Sequence, residues 1–191
     1  MARLEQKRKN RRKTNGWAKE LLDTGIYLLV VLIMTYLVIT YVGQRTQVEG
    51  SSMESTLSDG DNLIVDKLSY RFYDPERFDI IVFPYRFEPD TYYIKRIIGL
   101  PGETVRIDAD GVIYINDEPL SEHYGKDVIL DPGLAWQPIE LGENDYFVLG
   151  DNRNNSTDSR MPDVGVLKRG ELIGRAFVRI WPFSKFGLLH K

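Results

Sequence analysis

Cysteine is absent from the 191 residues of the chain. Its absence excludes disulfides, thiolate metal sites and cysteine nucleophiles, and fits an extracytoplasmic setting. Histidine is almost absent: His123 and His190 are the only two. A histidine-rich metal site or a Ser-His-Asp triad is hard to build from so few. Internal repeats and low-complexity stretches are missing too. The length suits one folded domain with an appendage.

Charge is unevenly placed. Residues 1–20 carry eight Lys/Arg against Glu5 and Glu20, a net +6, so the remainder of a chain whose total is −3 carries −9. A basic tail alone would suit nucleic acid, but its sequel points elsewhere. From Thr24 to Gln44 the run TGIYLLVVLIMTYLVITYVGQ has no charge. At about 1.5 Å per residue its 21 residues cover roughly 30 Å, the thickness of a bilayer core. A buried helix of a soluble domain is the plain alternative, and a run this long behind a basic cluster argues against it. A secretory signal peptide has an apolar region of about 7–15 residues and a small-residue cleavage site; this run is longer, and YVGQRTQVEG offers no convincing site.

The expected organisation is therefore a cytoplasmic basic tail at 1–23, a transmembrane helix at 24–44 and an extracytoplasmic domain at 45–191. The Lys/Arg excess keeps the N-terminus in the cytoplasm, so the protein is single-pass in the plasma membrane. The expected partner of residues 1–44 is the lipid bilayer, not nucleic acid, with the tail solvated near anionic lipid.

Beyond Arg45 the pattern predicts strands: NLIVDKL (62–68), FDIIVFPY (78–85), TYYIKRIIGL (91–100), a hairpin about Asp110-Gly111 within 103–117, DYFVLG (145–150) and IGRAFVRIWPF (173–183). LKRGELIG reads as a brief helix or turn. Short strands between Gly, Pro and Asp turns argue an all-β domain. Residues 118–143, with Pro, Gly and Asp, read as a mobile excursion.

Three clusters hold residues able to do chemistry. GSSMESTL (50–57) sets Ser51 beside Ser52 with no histidine near. A serine hydroxyl needs a base to become a nucleophile, and lysine is the natural candidate. An exposed lysine titrates at about 10.4 and is no base near neutrality; burial lowers that value toward about 7–8. Lys95 shares a strand face with Tyr93 and Ile97, and Lys67 shares one with Leu63 and Val65. Pattern alone leaves both open, and an ordinary strand lysine with its head in solvent is the bland alternative for either. The third cluster, GDNRNNSTDSR (150–160), is a surface loop of Asx turns on the bland reading. On the functional one it holds hydroxyl and carboxylate groups that orient the base.

In this order, behind an N-terminal anchor, VEGSSMESTL (48–57), GDNLIVDK (60–67), FDIIVF (78–83), YIKRIIGLPGE (93–103), GDNRNNSTDSR and the tail GRAFVRIWPF (174–183) resemble bacterial type I signal peptidases over almost the whole chain. The single anchor and short middle region look like Gram-positive members. The resemblance implies a mainly antiparallel, partly barrel-like catalytic domain with one transmembrane helix. It implies a serine endopeptidase that removes signal peptides from secretory preproteins by a Ser/Lys dyad, without metal or cofactor. Residue by residue, it implies Ser52 as nucleophile and Lys95 as general base. Gly50, Ser52 and Met53 would lie at the oxyanion and substrate site, with the Ser52 N–H as an oxyanion donor. Ser156 would position the lysine, Asp158 and Arg160 would form a supporting ion pair, and Asp151 and Asn152 would shape the loop.

Two positions depart from the family pattern. Ser55 stands where proline is common and would stiffen the turn. Gly50 stands where Gram-negative members carry a serine hydroxyl that helps bind the oxyanion, which leaves the second donor open. Small residues at the first and third positions before the cut would fit shallow pockets, the substrate being added as a strand. Met53, Trp181, Phe183 and Phe186 are candidates for the bilayer surface; packing within the domain is the alternative for the aromatics. The competing functions are a LexA-like self-cleaving Ser/Lys peptidase and a surface-held β-rich binding domain without enzymatic activity. The oligomeric state is left open.

Overall fold

The computed structural model describes residues 2–37 and 43–189. The chain divides into two compact units, residues 1–42 and 43–191. The first contains α1, Ala2–Leu37. Its C-terminal half, Lys19–Leu37, has a mean hydropathy of 1.7 and is long and apolar enough to cross a membrane. Leu21, Leu22, Leu28, Leu29, Leu32 and Met34 are good helix formers there. The basic stretch expected as a solvated tail is the helical N-terminal part of α1. Residues 38–42 of the expected span lie outside the described residues. Gly43 and Gln44, also assigned to that span, stand in a strand.

The second unit is β-rich. Strands β1 (Gly43–Gln47), β2 (Asn62–Asp66), β3 (Ile80–Tyr85), β4 (Glu88–Gly99), β9 (Asp145–Leu149), β10 (Leu167–Lys168), β11 (Gly174–Trp181) and β12 (Gly187–Leu188) form one sheet. Strands β5 (Thr104–Ile107), β6 (Ile113–Ile115), β7 (Glu118–Pro119) and β8 (Ile139–Glu140) form another. The larger sheet runs β1-β2-β11-β3-β4-β9-β10, with β12 beside β11; the smaller runs β7-β6-β5-β8. Every pairing among the described residues is antiparallel, as the resemblance implies. The expected hairpin turns where foreseen, with Gly111 at φ +78°, a left-handed conformation that glycine adopts without strain.

Three differences from the sequence reading bear on the site. β3 begins at Ile80, because Phe78 is turned to φ +72° and its carbonyl accepts from Arg96 Nη1 at 2.9 Å. LKRGELIG contributes a two-residue strand and a 3-10 turn. The 118–143 segment is tied down: Ile129, Ala135 and Leu141 enter the core under the small sheet, Arg153 Nη1 donates to Glu122 Oε1 at 2.8 Å, and the Lys126 N–H donates to the Asp151 carbonyl at 2.8 Å.

Candidate active site

The serine pair lies in the 48–61 connection between β1 and β2. The connection closes on itself: Val48 N donates to Asp61 O, Gly60 N to Val48 O, and Thr56 and Leu57 N–H groups donate to the Met53 carbonyl. Met53 is 1% exposed and packs with Leu57, Val48, Leu63, Val82 and Ile94. Burying such a side chain stabilises by about 1.5–3 kcal/mol, so Met53 is the anchor that seats Ser52. This corrects its assignment to the bilayer surface, where a side chain sealed in the core has nothing to offer. It also lines the groove beside Ser52. Trp181, Phe183 and Phe186 remain exposed, with Trp181 edge-on to Phe183 at 4.9 Å between ring centroids.

Lys95 reaches the serine from β4. The strand register sets it opposite Ile81 of β3, and the Tyr93 ring centre lies 5.0 Å from its amine. Lys95 Nζ meets Ser52 Oγ at 2.8 Å and donates to the Ile94 carbonyl at 3.0 Å. The residue is 4% exposed. Burial pulls its pKa from 10.5 down to about 8, against the pull of Asp158 and Asp151, whose negative charges favour the ammonium. The other lysine considered, Lys67, lies just past the end of β2 and half-exposed, outside the groove that holds Ser52.

The 150–160 loop closes the site from the β9 side. Asn152 clasps the serine turn: its N–H donates to the Ser52 carbonyl at 3.0 Å and its Nδ2 to the Ser51 carbonyl at 3.1 Å. Asn155 Nδ2 donates to Ser51 Oγ at 2.8 Å. Asp158 and Arg160, both buried, form a two-pronged pair at 2.9 Å through Nε and Nη2, and the Gly150 N–H donates to Asp158 Oδ2 at 3.1 Å. Gly150 has no room for a side chain; a Cβ there would lie 2.2 Å from Ser156 Oγ and 2.5 Å from the Ser52 carbonyl oxygen. Ser156 Oγ is buried against that glycine without a hydrogen-bond partner among the described residues. The lysine contact expected of it is therefore not made, and Lys95 is held by Ser52 and Ile94 instead.

The alternation that puts Lys95 on one strand face puts Arg96 on the other, and sequence reasoning gave Arg96 no role. The structure buries it completely: Nε donates to Asp151 Oδ1 at 2.9 Å, Nη2 to Oδ2 at 2.7 Å, and the Tyr124 ring centre lies 3.8 Å from its guanidinium carbon. Thr56 Oγ1 donates to the same Asp151 at 2.5 Å. This network ties the serine turn, β4 and the 150–160 loop together. The charged doublet Lys95-Arg96 inside an apolar strand was its visible signal.

A groove of about 480 Å³ runs past the site between residues 46–50 and 90–95, with Ser51, Ser52, Asn155, Ser156 and Thr157 at one end. β4 meets β9 only from Arg96 onward, so residues 90–94 keep an unpaired edge on the groove.

A model of the family described as signal peptidase, peptidase S26, matches residues 21–181. The chain belongs to the signal peptidase S26 family. It is 39% identical over 194 aligned residues to a probable signal peptidase I-2 of Synechocystis sp., covering 99% of this chain and 84% of that one. It is 40% identical to a signal peptidase I of Bacillus caldolyticus, covering 76% and 84%. A solved signal peptidase I from Enterococcus faecalis V583 is 36% identical, covers 54% of this chain and 97% of that one, and superposes with a TM-score of 0.43. Membership makes the chain a serine endopeptidase, a hydrolase.

Proposed function

We propose that this peptidase removes signal peptides from secretory preproteins, with Ser52 as nucleophile and Lys95 as general base. The observation that carries the reading is the 2.8 Å contact between a hydroxyl and an amine kept from water. A neutral Lys95 takes the Ser52 proton as Ser52 Oγ attacks the scissile carbonyl. The amine then protonates the departing amino group. Freed of that proton, it activates the water that hydrolyses the acyl-enzyme. The Ser52 N–H faces the developing oxyanion. Asp158, Arg160, Asp151 and Asn152 hold the loop in register, and Gly50 and Met53 shape the turn.

The substrate lies as an added strand on the free edge of residues 90–94. Residues 1–23 form a cytoplasmic tail, 24–44 the single membrane span and 45–191 the extracytoplasmic peptidase domain. The +6 charge of residues 1–20 supports that orientation. Trp181, Phe183 and Phe186 rest on the bilayer surface, which keeps enzyme and tethered substrate at high effective concentration.

The test is cleavage of a secretory precursor by the detergent-solubilised full chain. Ser52→Ala abolishes it, and Lys95→Ala lowers it by about 10²–10⁴-fold, the range a general base supplies. With chemistry limiting, activity rises with pH and levels off above about 8, because the base works only uncharged. Cleavage surviving in both variants, or a flat profile from pH 5 to 9, rejects the dyad.

A further inference from the structure

An oxyanion held by the Ser52 N–H alone would be poorly served, and Gly50 brings no side chain to help. At φ +85° that position strains any residue other than glycine. Ser51 lies between them. Its carbonyl accepts from Asn152 Nδ2. Since N–H and C=O point in opposite directions across a trans peptide, the Ser52 N–H is aimed away from Asn152, which does not line the groove. Among the hydrogen bonds of the described residues, this N–H donates to none. Four covalent bonds separate Ser51 Oγ from the Ser52 nitrogen, so the two stay within about 5 Å of each other. The Ser51 hydroxyl accepts from Asn155 Nδ2 at 2.8 Å. That donor occupies a lone pair on the oxygen and leaves the hydroxyl proton unspent. Ser51, Ser52, Asn155 and Lys95 all line the same groove.

We infer that Ser51 is a further catalytic residue, its hydroxyl being the second oxyanion donor, and that Asn155 is the positioning residue that turns its proton toward the substrate. The inference rests on the Ser52/Lys95 reading above. As Ser52 Oγ bonds to the carbonyl carbon, the π electron pair moves onto the carbonyl oxygen. That oxygen then accepts from the Ser52 N–H and the Ser51 O–H together. Both bonds tighten as charge develops, so they act on the transition state more than on substrate binding.

The test uses the full chain in detergent and a synthetic peptide with small residues at the first and third positions before the cut. Ser51→Ala lowers kcat about 10²-fold with KM unchanged. Ser51→Thr, which keeps the hydroxyl, stays within about tenfold of the parent. Asn155→Asp offers Ser51 an acceptor in place of a donor, turns the proton away and lowers kcat like Ser51→Ala. The Ser51→Ala/Asn155→Ala pair loses no more than Ser51→Ala alone, as expected of two residues acting as one unit. If Ser51→Ala does not fold, Asn155→Asp carries the test. A kcat within threefold of the parent in Ser51→Ala, or in Asn155→Asp, overturns the inference, as does a loss confined to KM. If the unaltered chain cleaves nothing, the functional reading itself has failed. If it cleaves and Ser51→Ala matches it, only the Ser51 assignment has.

Discussion

Lys95 and Arg96 are adjacent on β4, point to opposite faces and are both almost wholly buried, yet the protein treats their charges in opposite ways. Arg96 is matched: a two-pronged carboxylate, the Phe78 carbonyl and an aromatic face surround it. A guanidinium cannot shed its proton in a protein, so burial obliges the fold to supply a partner. Lys95 is left short. Among the described residues no carboxylate touches it; its contacts are a hydroxyl, a carbonyl and a ring. An amine in that position gives up its proton more readily, its pKa lowered by burial to about 8. One strand thus carries a permanent cation that ties three segments together, and beside it a conditional one, the base proposed above.

The sharpest way to break this contrast is to strip Arg96 of its partner. Asp151→Ala leaves a buried cation unanswered and is expected to cost about 3–5 kcal/mol, read as a lower urea midpoint of the detergent-solubilised chain. A loss under 1 kcal/mol would mean that the pair is not what holds the three segments.

Lys95 should respond in the reverse sense. Its folded pKa, about 8, lies below the unfolded 10.5. Below about pH 8 both states hold the proton and the folded state bears the full burial cost. Between about 8 and 10.5 the folded chain has released the proton and the unfolded chain has not, so stability climbs with pH; above that the cost is gone. Lys95→Met removes the group. It should therefore be more stable than the parent by about 3 kcal/mol at pH 7, a gain that fades by about pH 10.5. Equal stability of the two at pH 7 would show that the amine has found solvent.

The smallest effect belongs to a pair that water already serves. Glu54 and Lys126 meet at 3.0 Å with both side chains over a third exposed. Glu54→Gln should change stability by less than 1 kcal/mol, and a larger shift would mark this contact as a true clasp on the serine turn.

Much of this was legible beforehand, for reasons that differ by region. The strand segments announced themselves through β-branched runs broken by Gly and Pro, and the ordered motifs pointed to Ser52, Lys95 and the 150–160 loop. Period-two alternation states which residues share a face, but not whether the other face is covered. Arg96 was therefore placed but not understood, since Thr56, Tyr124 and Asp151 reach it from 40, 28 and 55 positions along the chain. Met53 was misplaced for the same reason: nothing local says that the turn folds back over Val82 and Ile94. The 118–143 segment looked loose because its composition is turn-like, while its anchors, such as Arg153 to Glu122, are long-range.

Lys95 lines the groove and is 4% exposed. On the dyad proposed above, a peptide seated in that groove would cover what little exposure the amine retains and favour its neutral form further, so that occupancy and readiness would rise together.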